Sequence, residues 1–329
     1  MKFSHEDISN KSFLVTGGAG FIGSHIVSYL LENGAKKVRV LDNFATGFRK
    51  NLQPFENNSA FELIEGDIRD VATCEKACEG MDHVSHQAAL GSVPRSIKDP
   101  VTSNEVNVSG FVNMLTAAKD AGVKTFVYAS SSSVYGDEPN LPKKEDRVGN
   151  PLSPYAVTKK TNELYANVFS DLYGMKLIGY RYFNVFGPRQ DPHGPYAAVI
   201  PLFVSGIMNQ TPVYINGDGE QTRDFTYVDN AVQANVLGML TENDPAFGEV
   251  YNIAVGENFS VNFLYDAIRN MLGSEHKATY REPRAGDIRN SLADISKAEK
   301  LFGYKPTQRF MDGLQKTVEF FKEKYQQTA

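Results

Sequence analysis

The tightest constraint on this chain lies at its beginning. An apolar run, Ser12 to Thr16, is followed at once by Gly17-Gly18-Ala19-Gly20-Phe21-Ile22-Gly23 and then by an amphipathic stretch that reaches Glu32 and stops at Asn33-Gly34. Glycines so spaced between a strand and a helix leave few options. Gly17 permits the tight turn, Gly20 removes a side chain from the inner wall of the loop, and Gly23 lets the helix lie close on the strand. Such a loop belongs at the carboxyl end of a parallel strand, which requires further strands beside it. The sequence supplies them. Apolar runs at 37–41, 61–64, 82–86 and 125–129 alternate with helical patterns, clearest at 106–121. Strict alternation of that kind predicts βαβ units around a buried parallel sheet.

At 329 residues the chain exceeds the size, about 250–300 residues, at which a single core stops growing. After Tyr182 the rhythm breaks, because Pro188, Pro192, Pro195, Pro201 and Pro212 follow in quick succession. A regular sheet cannot continue through them. The expected fold class is therefore α/β, a Rossmann-type doubly wound parallel sheet with a smaller, interleaved α/β substrate domain. The first domain is predicted to span 1–184, with 228–255 returning to it. The second comprises 185–227 and 256–329, and it ends in a helix at 312–325. The net charge of -5 argues against nucleic acid as a partner. No apolar run approaches the ~20 residues of a membrane span, and the polar N-terminus lacks the apolar core of a signal peptide, so a cytoplasmic location is expected. Cys74 and Cys78 read as reduced thiols on a surface or half-buried helix. The scattered histidines suggest no metal.

The glycine loop opens a helix whose first N–H groups face outward, an arrangement suited to a pyrophosphate. Asp42, 19 residues after Gly23, closes the second apolar run, where a carboxylate can take ribose hydroxyls. The same carboxylate would repel a 2′-phosphate, so the dinucleotide expected here is NAD. Further along, Tyr155 and Lys159 are one helical turn apart on one face. Of 16 tyrosines, this alone has a lysine four residues on. A tyrosine acting as base near neutrality needs its pKa lowered by roughly 3 units from ~10. A fixed ammonium and a positive nicotinamide ring both favour the phenolate.

Together these segments resemble the extended short-chain dehydrogenase/reductase family, and within it the nucleotide-sugar 4-epimerases, above all the UDP-N-acetylglucosamine 4-epimerases. The resemblance covers nearly the whole chain. It rests on Thr16 to Gly23, Asp42-Asn43, Gly66-Asp67-Ile68, Gln87-Ala88-Ala89, Ala129 to Gly136, Tyr155 to Lys159, Arg181 to Gly187 and Arg284 to Ala293. It implies a cofactor site that adds Phe21, Ile22, Asn43, Asp67, Ile68, Gln87, Ala88, Ala89, Tyr155, Lys159 and Tyr182 to the glycines and Asp42, with Lys159 on the nicotinamide ribose. It implies Ser131 as the catalytic serine beside Tyr155 and Lys159, with Ser132 as the alternative among four adjacent serines. Related dehydratases and decarboxylases carry carboxylates where Ser132 and Ser133 stand here. Without a carboxylic acid to assist elimination, a redox-neutral epimerisation is the better fit.

For the substrate, the resemblance implies a UDP-sugar held by Gly91, Ser92, Ser131, Ser132, Tyr155, Asn184, Ala198, Val199, Tyr214, Asn216, Arg223, Arg284, Asp287 and Ser291. Arg223 and Arg284 would bind the diphosphate, since the planar guanidinium offers parallel donors. Asp287 would take the uridine ribose, and small Ser291 would leave room for a 2-acetamido group. The implied reaction interconverts UDP-GlcNAc and UDP-GalNAc. Hydride leaves C4 for tightly bound NAD while Tyr155 removes the 4-hydroxyl proton. The 4-keto sugar then turns about its diphosphate link and takes hydride back on its other face. A UDP-glucuronate 4-epimerase, with Arg95 on the carboxylate, and a UDP-glucose 4-epimerase are alternatives. A non-catalytic NAD-binding regulator is another, which the Tyr155–Lys159 pair opposes. The resemblance also implies a homodimer through helices at 106–121 and 155–173, with Val108, Val112 and Leu115 as apolar surface.

Overall fold

In the computed structural model, which describes residues 2–4, 6–192, 198–283 and 289–326, the alternation resolves into one central sheet. Its strands are β1 (Ser12–Thr16), β2 (Lys37–Asp42), β3 (Phe61–Glu65), β4 (His83–His86), β5 (Thr125–Ser131), β6 (Leu177–Tyr182) and a later strand, Glu249–Ile253. The order across the sheet is Glu249–Ile253, β6, β5, β4, β1, β2, β3, with every pairing parallel. The order reverses between β1 and β4. A doubly wound sheet opens a crevice there, at the carboxyl ends of its strands.

Helices α1 (Phe21–Glu32), α2 (Val71–Cys78), α3 (Val93–Lys98), α4 (Pro100–Asn104), α5 (Gly110–Asp120) and α6 (Pro154–Tyr173) connect the first six strands. The pattern expected at 106–121 belongs to a longer helical run that begins at Pro100. A π-helical turn over Glu105–Ser109 joins α4 to α5, a distortion that apolar periodicity does not register. One face of α5 packs with Leu14, Val84 and Phe126 in the main core. Leu115 lies on that face and is fully buried, so it contributes no outer surface, contrary to expectation. Val108 and Val112 are half-buried. Cys74 and Cys78 join the same cluster instead of lying at a surface, and burial pushes both thiols up to about 12.

Helix α6 has clear boundaries. Ser153 caps its start by accepting from the Ala156 N–H at 3.2 Å, Pro154 sits in the first turn, and Gly174 ends it in the left-handed conformation. Its outward face carries Val157, Leu164, Val168 and Leu172, all exposed. After β6 the chain builds another apolar cluster from Phe186, Ile200, Phe203, Leu264, Phe310 and Phe321. The helix Val228–Leu240 then leads back to the strand beside β6.

Candidate active site

At the carboxyl ends of β1, β2, β4, β5 and β6 lies a cleft of about 660 Å³. Its floor is the glycine loop. Gly17 adopts φ +68°, and a Cβ on Gly23 would stand 2.2 Å from the Gly17 carbonyl oxygen, so no larger residue fits. No side chain caps the start of α1, where Gly20, Phe21 and Ile22 line the cleft. Its first N–H groups therefore remain available to an anion.

Asp42 and Asn43 line the adjoining wall. The Asp42 carboxylate already accepts from Ala19 N at 2.9 Å and Phe44 N at 2.8 Å, and burial raises its pKa. Two backbone donors thus orient it, and its remaining lone pairs stay open for a ribose hydroxyl. Asp67 and Ile68 sit nearby. Arg69 bonds the Asp67 carboxylate at 2.8 Å and holds its pKa down to about 2. Gln87, Ala88, Ala89, Gly91 and Ser92 follow β4 and line the cleft opposite α1. Gln87 and Tyr182 meet a buried amide, since Asn235 accepts from Gln87 Nε2 at 3.0 Å and donates to the Tyr182 hydroxyl at 2.6 Å.

The catalytic candidates converge at the far wall. Ser130 and Ser131 are strand residues of β5, paired with Arg181 and Tyr182 of β6. Ser131, Tyr155 and Lys159 all line the cleft. Ser131 lies near enough to Tyr155 to favour its phenolate, and its Oγ accepts from the Ser133 N–H at 3.1 Å. Lys159 donates to the Ala129 carbonyl at 2.7 Å, with its ammonium 6.0 Å from the centre of the Tyr155 ring. Burial pushes the Tyr155 phenol above its ordinary value, and nearby Ser131 only partly offsets it. Burial also brings Lys159 down to about 8. The lowering expected at Tyr155 draws on the Lys159 ammonium together with a positive nicotinamide ring; among the protein's own groups, desolvation of the phenolate is the larger influence.

Asn184 and Ala198 complete the predicted lining. Ser132 lies in the tight turn Ser132–Tyr135 beyond the strand end, outside the lining. Val199, Tyr214, Asn216, Arg223 and Ser291 are likewise outside it. Tyr214 and Asn216 are held on a short strand paired with Thr279–Arg281. Arg223 donates to the Thr222 and Arg289 carbonyls, and the Ser291 N–H to the Thr222 carbonyl, so these two candidates share one cluster. Arg284 and Asp287 lie outside the described residues. Sequence reasoning overlooked Gln190, which lines the cleft. Its Oε1 is buried and has no hydrogen-bond partner among the described residues. An amide inside a proline-rich stretch carries no sequence signal of its own.

Residues 13–254 match the model of the NAD dependent epimerase/dehydratase family. The chain belongs to that family. It is 40% identical over 316 residues to a UDP-glucose 4-epimerase of Mycolicibacterium smegmatis, covering 95% of this chain and 99% of the relative. Among solved structures it is similar to a UDP-N-acetylglucosamine 4-epimerase from Methanobrevibacter ruminantium in complex with UDP-N-acetylmuramic acid. That match has a TM-score of 0.90 at 41% identity and covers 95% and 99% of the two chains. A UDP-glucose 4-epimerase from Thermotoga maritima with UDP-glucose matches at TM-score 0.89 and 37% identity, over 95% and 99%. The cofactor of this family member is NAD, and its residues fit that group. The side-chain-free glycine floor, the uncapped start of α1 and the oriented Asp42 carboxylate offer the contacts that a pyrophosphate and a ribose require.

Proposed function

We propose that this protein is a UDP-sugar 4-epimerase and that its sugars are the N-acetylated pair, UDP-GlcNAc and UDP-GalNAc. The observation that carries the reading is the meeting of Ser131, Tyr155 and Lys159 on one wall of the cleft. A non-catalytic dinucleotide sensor needs no such trio. The reading also takes 1–184 with 228–255 as the cofactor domain and the rest as the sugar-nucleotide domain. It places the enzyme in the cytoplasm as a homodimer that covers the exposed apolar face of α6. No helix among the described residues is long and apolar enough to cross a membrane.

Bound NAD supplies a reversible acceptor for the hydride at the sugar C4. Tyr155 takes the proton of the 4-hydroxyl during oxidation and returns it during reduction. Ser131 stands beside the phenol on the cleft wall, where its hydroxyl can meet O4. Lys159 contributes a positive charge within reach of the ring and favours the phenolate. The cleft walls exclude water from the keto sugar while it turns. Because the net redox change is zero, one bound cofactor serves every cycle.

Support for the N-acetylated pair comes from Ser291, whose small side chain leaves space where a bulky one would reject a 2-acetamido group. For a UDP-glucuronate reading, Arg95 would have to meet the carboxylate; Arg95 and Ser291 both lie outside the cleft lining, so the choice of sugar rests on the resemblance at Ser291. The test is to incubate the protein with UDP-GlcNAc, UDP-Glc and UDP-GlcA separately and resolve the products by chromatography. Conversion of UDP-GlcNAc at the highest kcat/KM is the expected result. Turnover confined to UDP-GlcA or UDP-Glc would overturn the sugar assignment, and no turnover of any would overturn the epimerase reading.

A further inference from the structure

Three consecutive residues of β5 face three residues of α6 spaced one turn apart. Ala129 accepts from Lys159 at 2.7 Å, Ser130 donates to Glu163 Oε1 at 2.7 Å, and Ser131 stands beside Tyr155 on the cleft wall, near enough to favour its phenolate. The first and last pairs involve cleft residues. The middle one runs from Ser130, also in the lining, to Glu163, which is not, and it is the most elaborate. Glu163 and Arg181 are 2% and 1% exposed. The Arg181 guanidinium grips both carboxylate oxygens, Nε to Oε1 at 2.8 Å and Nη2 to Oε2 at 2.9 Å. It also donates to the Glu145 carbonyl at 3.0 Å and lies over the Tyr135 ring, 4.8 Å from its centre. Lys160 reaches Glu163 Oε2 at 3.3 Å from the rim. Burial alone would raise the Glu163 pKa, but Arg181 holds it below the ordinary value, so the carboxylate is charged.

A buried ion pair is a poor way to add stability, since two apolar residues of the same volume do as well or better. What the pair supplies is direction. A bidentate fork admits one geometry, and here it connects the catalytic helix, the end of β5 and the β6 residue directly before Tyr182. Helix α6 could otherwise slide or roll on the sheet by a fraction of an ångström without losing apolar contact. Such a shift would separate the Ser131 hydroxyl from the phenol.

We propose that Glu163 is a positioning residue for Ser131. Its carboxylate, oriented by Arg181, takes the Ser130 hydroxyl and thereby holds the end of β5 in the register that brings Ser131 onto Tyr155. This rests on the reading of Ser131 and Tyr155 as the catalytic pair.

The test is a double-mutant cycle on the NAD-loaded enzyme, with UDP-GlcNAc and UDP-Glc both assayed. Glu163→Gln should lower kcat by about tenfold, as small misplacements of reacting groups do. The KM and the bound NAD should stay within about twofold of the parent, since neither contact is touched. In a Ser131→Ala background the same substitution should change kcat by less than about twofold, because the residue it positions is already gone. Ser130→Ala leaves the ion pair intact and serves should Glu163→Gln fail to fold. It should lower kcat in the same way and lose its effect with Ser131→Ala. An undiminished effect of either substitution in the Ser131→Ala background, or an unchanged kcat in the single variants, overturns the proposal. So does full turnover by Ser131→Ala itself, which leaves Glu163 nothing to position. Tyr155→Phe separates the two levels. If it retains turnover, the reading of the site fails. If it loses turnover while Ser130→Ala and Glu163→Gln keep theirs, only the role of Glu163 falls.

Discussion

Replacing Lys159 by methionine should make the protein more stable and inactive. The lysine is 2% exposed and donates to the Ala129 carbonyl. Burial moves its pKa from 10.5 to about 8. At pH 7 the native state therefore carries a charge that the unfolded chain holds more easily, at a cost of about 3 kcal/mol. Methionine is of similar length and uncharged, so that cost vanishes. Against it stands the Ala129 carbonyl left without its donor, about 1–2 kcal/mol. The net expectation is a gain of about 1–2 kcal/mol at pH 7. The pH dependence has an independent sign. Native Lys159 releases its proton near pH 8 and the unfolded residue near 10.5, so the unfolded state binds more protons in between. The parent thus gains stability as pH rises through that window and the variant does not. Their difference at pH 7 should shrink and then reverse by the value of the hydrogen bond. Urea unfolding of nucleotide-stripped protein at several pH values between 7 and 10.5, followed by circular dichroism, measures both. A variant less stable than the parent at pH 7, or a difference that stays constant across the window, refutes the reasoning.

Tyr155→Phe should lose nearly all turnover while still retaining NAD and binding UDP-sugar by calorimetry, since only the proton acceptor is removed; comparable turnover would refute the mechanism. Gly23→Ala places a methyl against the Gly17 backbone carbonyl at 2.2 Å, so the loop must shift at a cost of about 1–3 kcal/mol. Chromatography of nucleotide released on denaturation should find the purified variant depleted of NAD, and a full complement would show that the loop relaxes freely. Ser291→Tyr should suppress kcat/KM for UDP-GlcNAc far more than for UDP-Glc, and equal loss on both would place the size gate elsewhere.

The sheet was legible because its strands are short apolar runs separated by helical periods, and a period of alternation is a local property. The cofactor wall was legible for the same reason, since the glycine loop follows β1, Asp42 closes β2, and both line one cleft. Leu115 marks a limit of local pattern. Its periodicity marks an apolar face correctly, but which neighbour covers that face depends on helices far away in sequence. Glu163 and Arg181 were illegible because either residue alone reads as a surface charge, and only packing of α6 on β6 makes them a buried pair. The Tyr155 environment was legible only in part, for a related reason. Spacing reveals a nearby ammonium, whereas desolvation depends on everything else that surrounds the ring. Gln190 is distinguished only by an acceptor that the fold leaves unmatched.

The outermost strand of the sheet, Glu249–Ile253, also has a consequence for the order in which the molecule is made. Its partner β6 is complete at Tyr182, roughly 65 residues earlier in synthesis. At about 5–20 residues per second, the ribosome leaves the edge of β6 without a neighbour for several seconds. An apolar strand with free backbone donors and acceptors is a template for pairing with another chain. Growing chains stalled between 183 and 248 should therefore be the forms most prone to aggregate and most readily bound by holdase chaperones, and chains released past Ile253 should escape both fates.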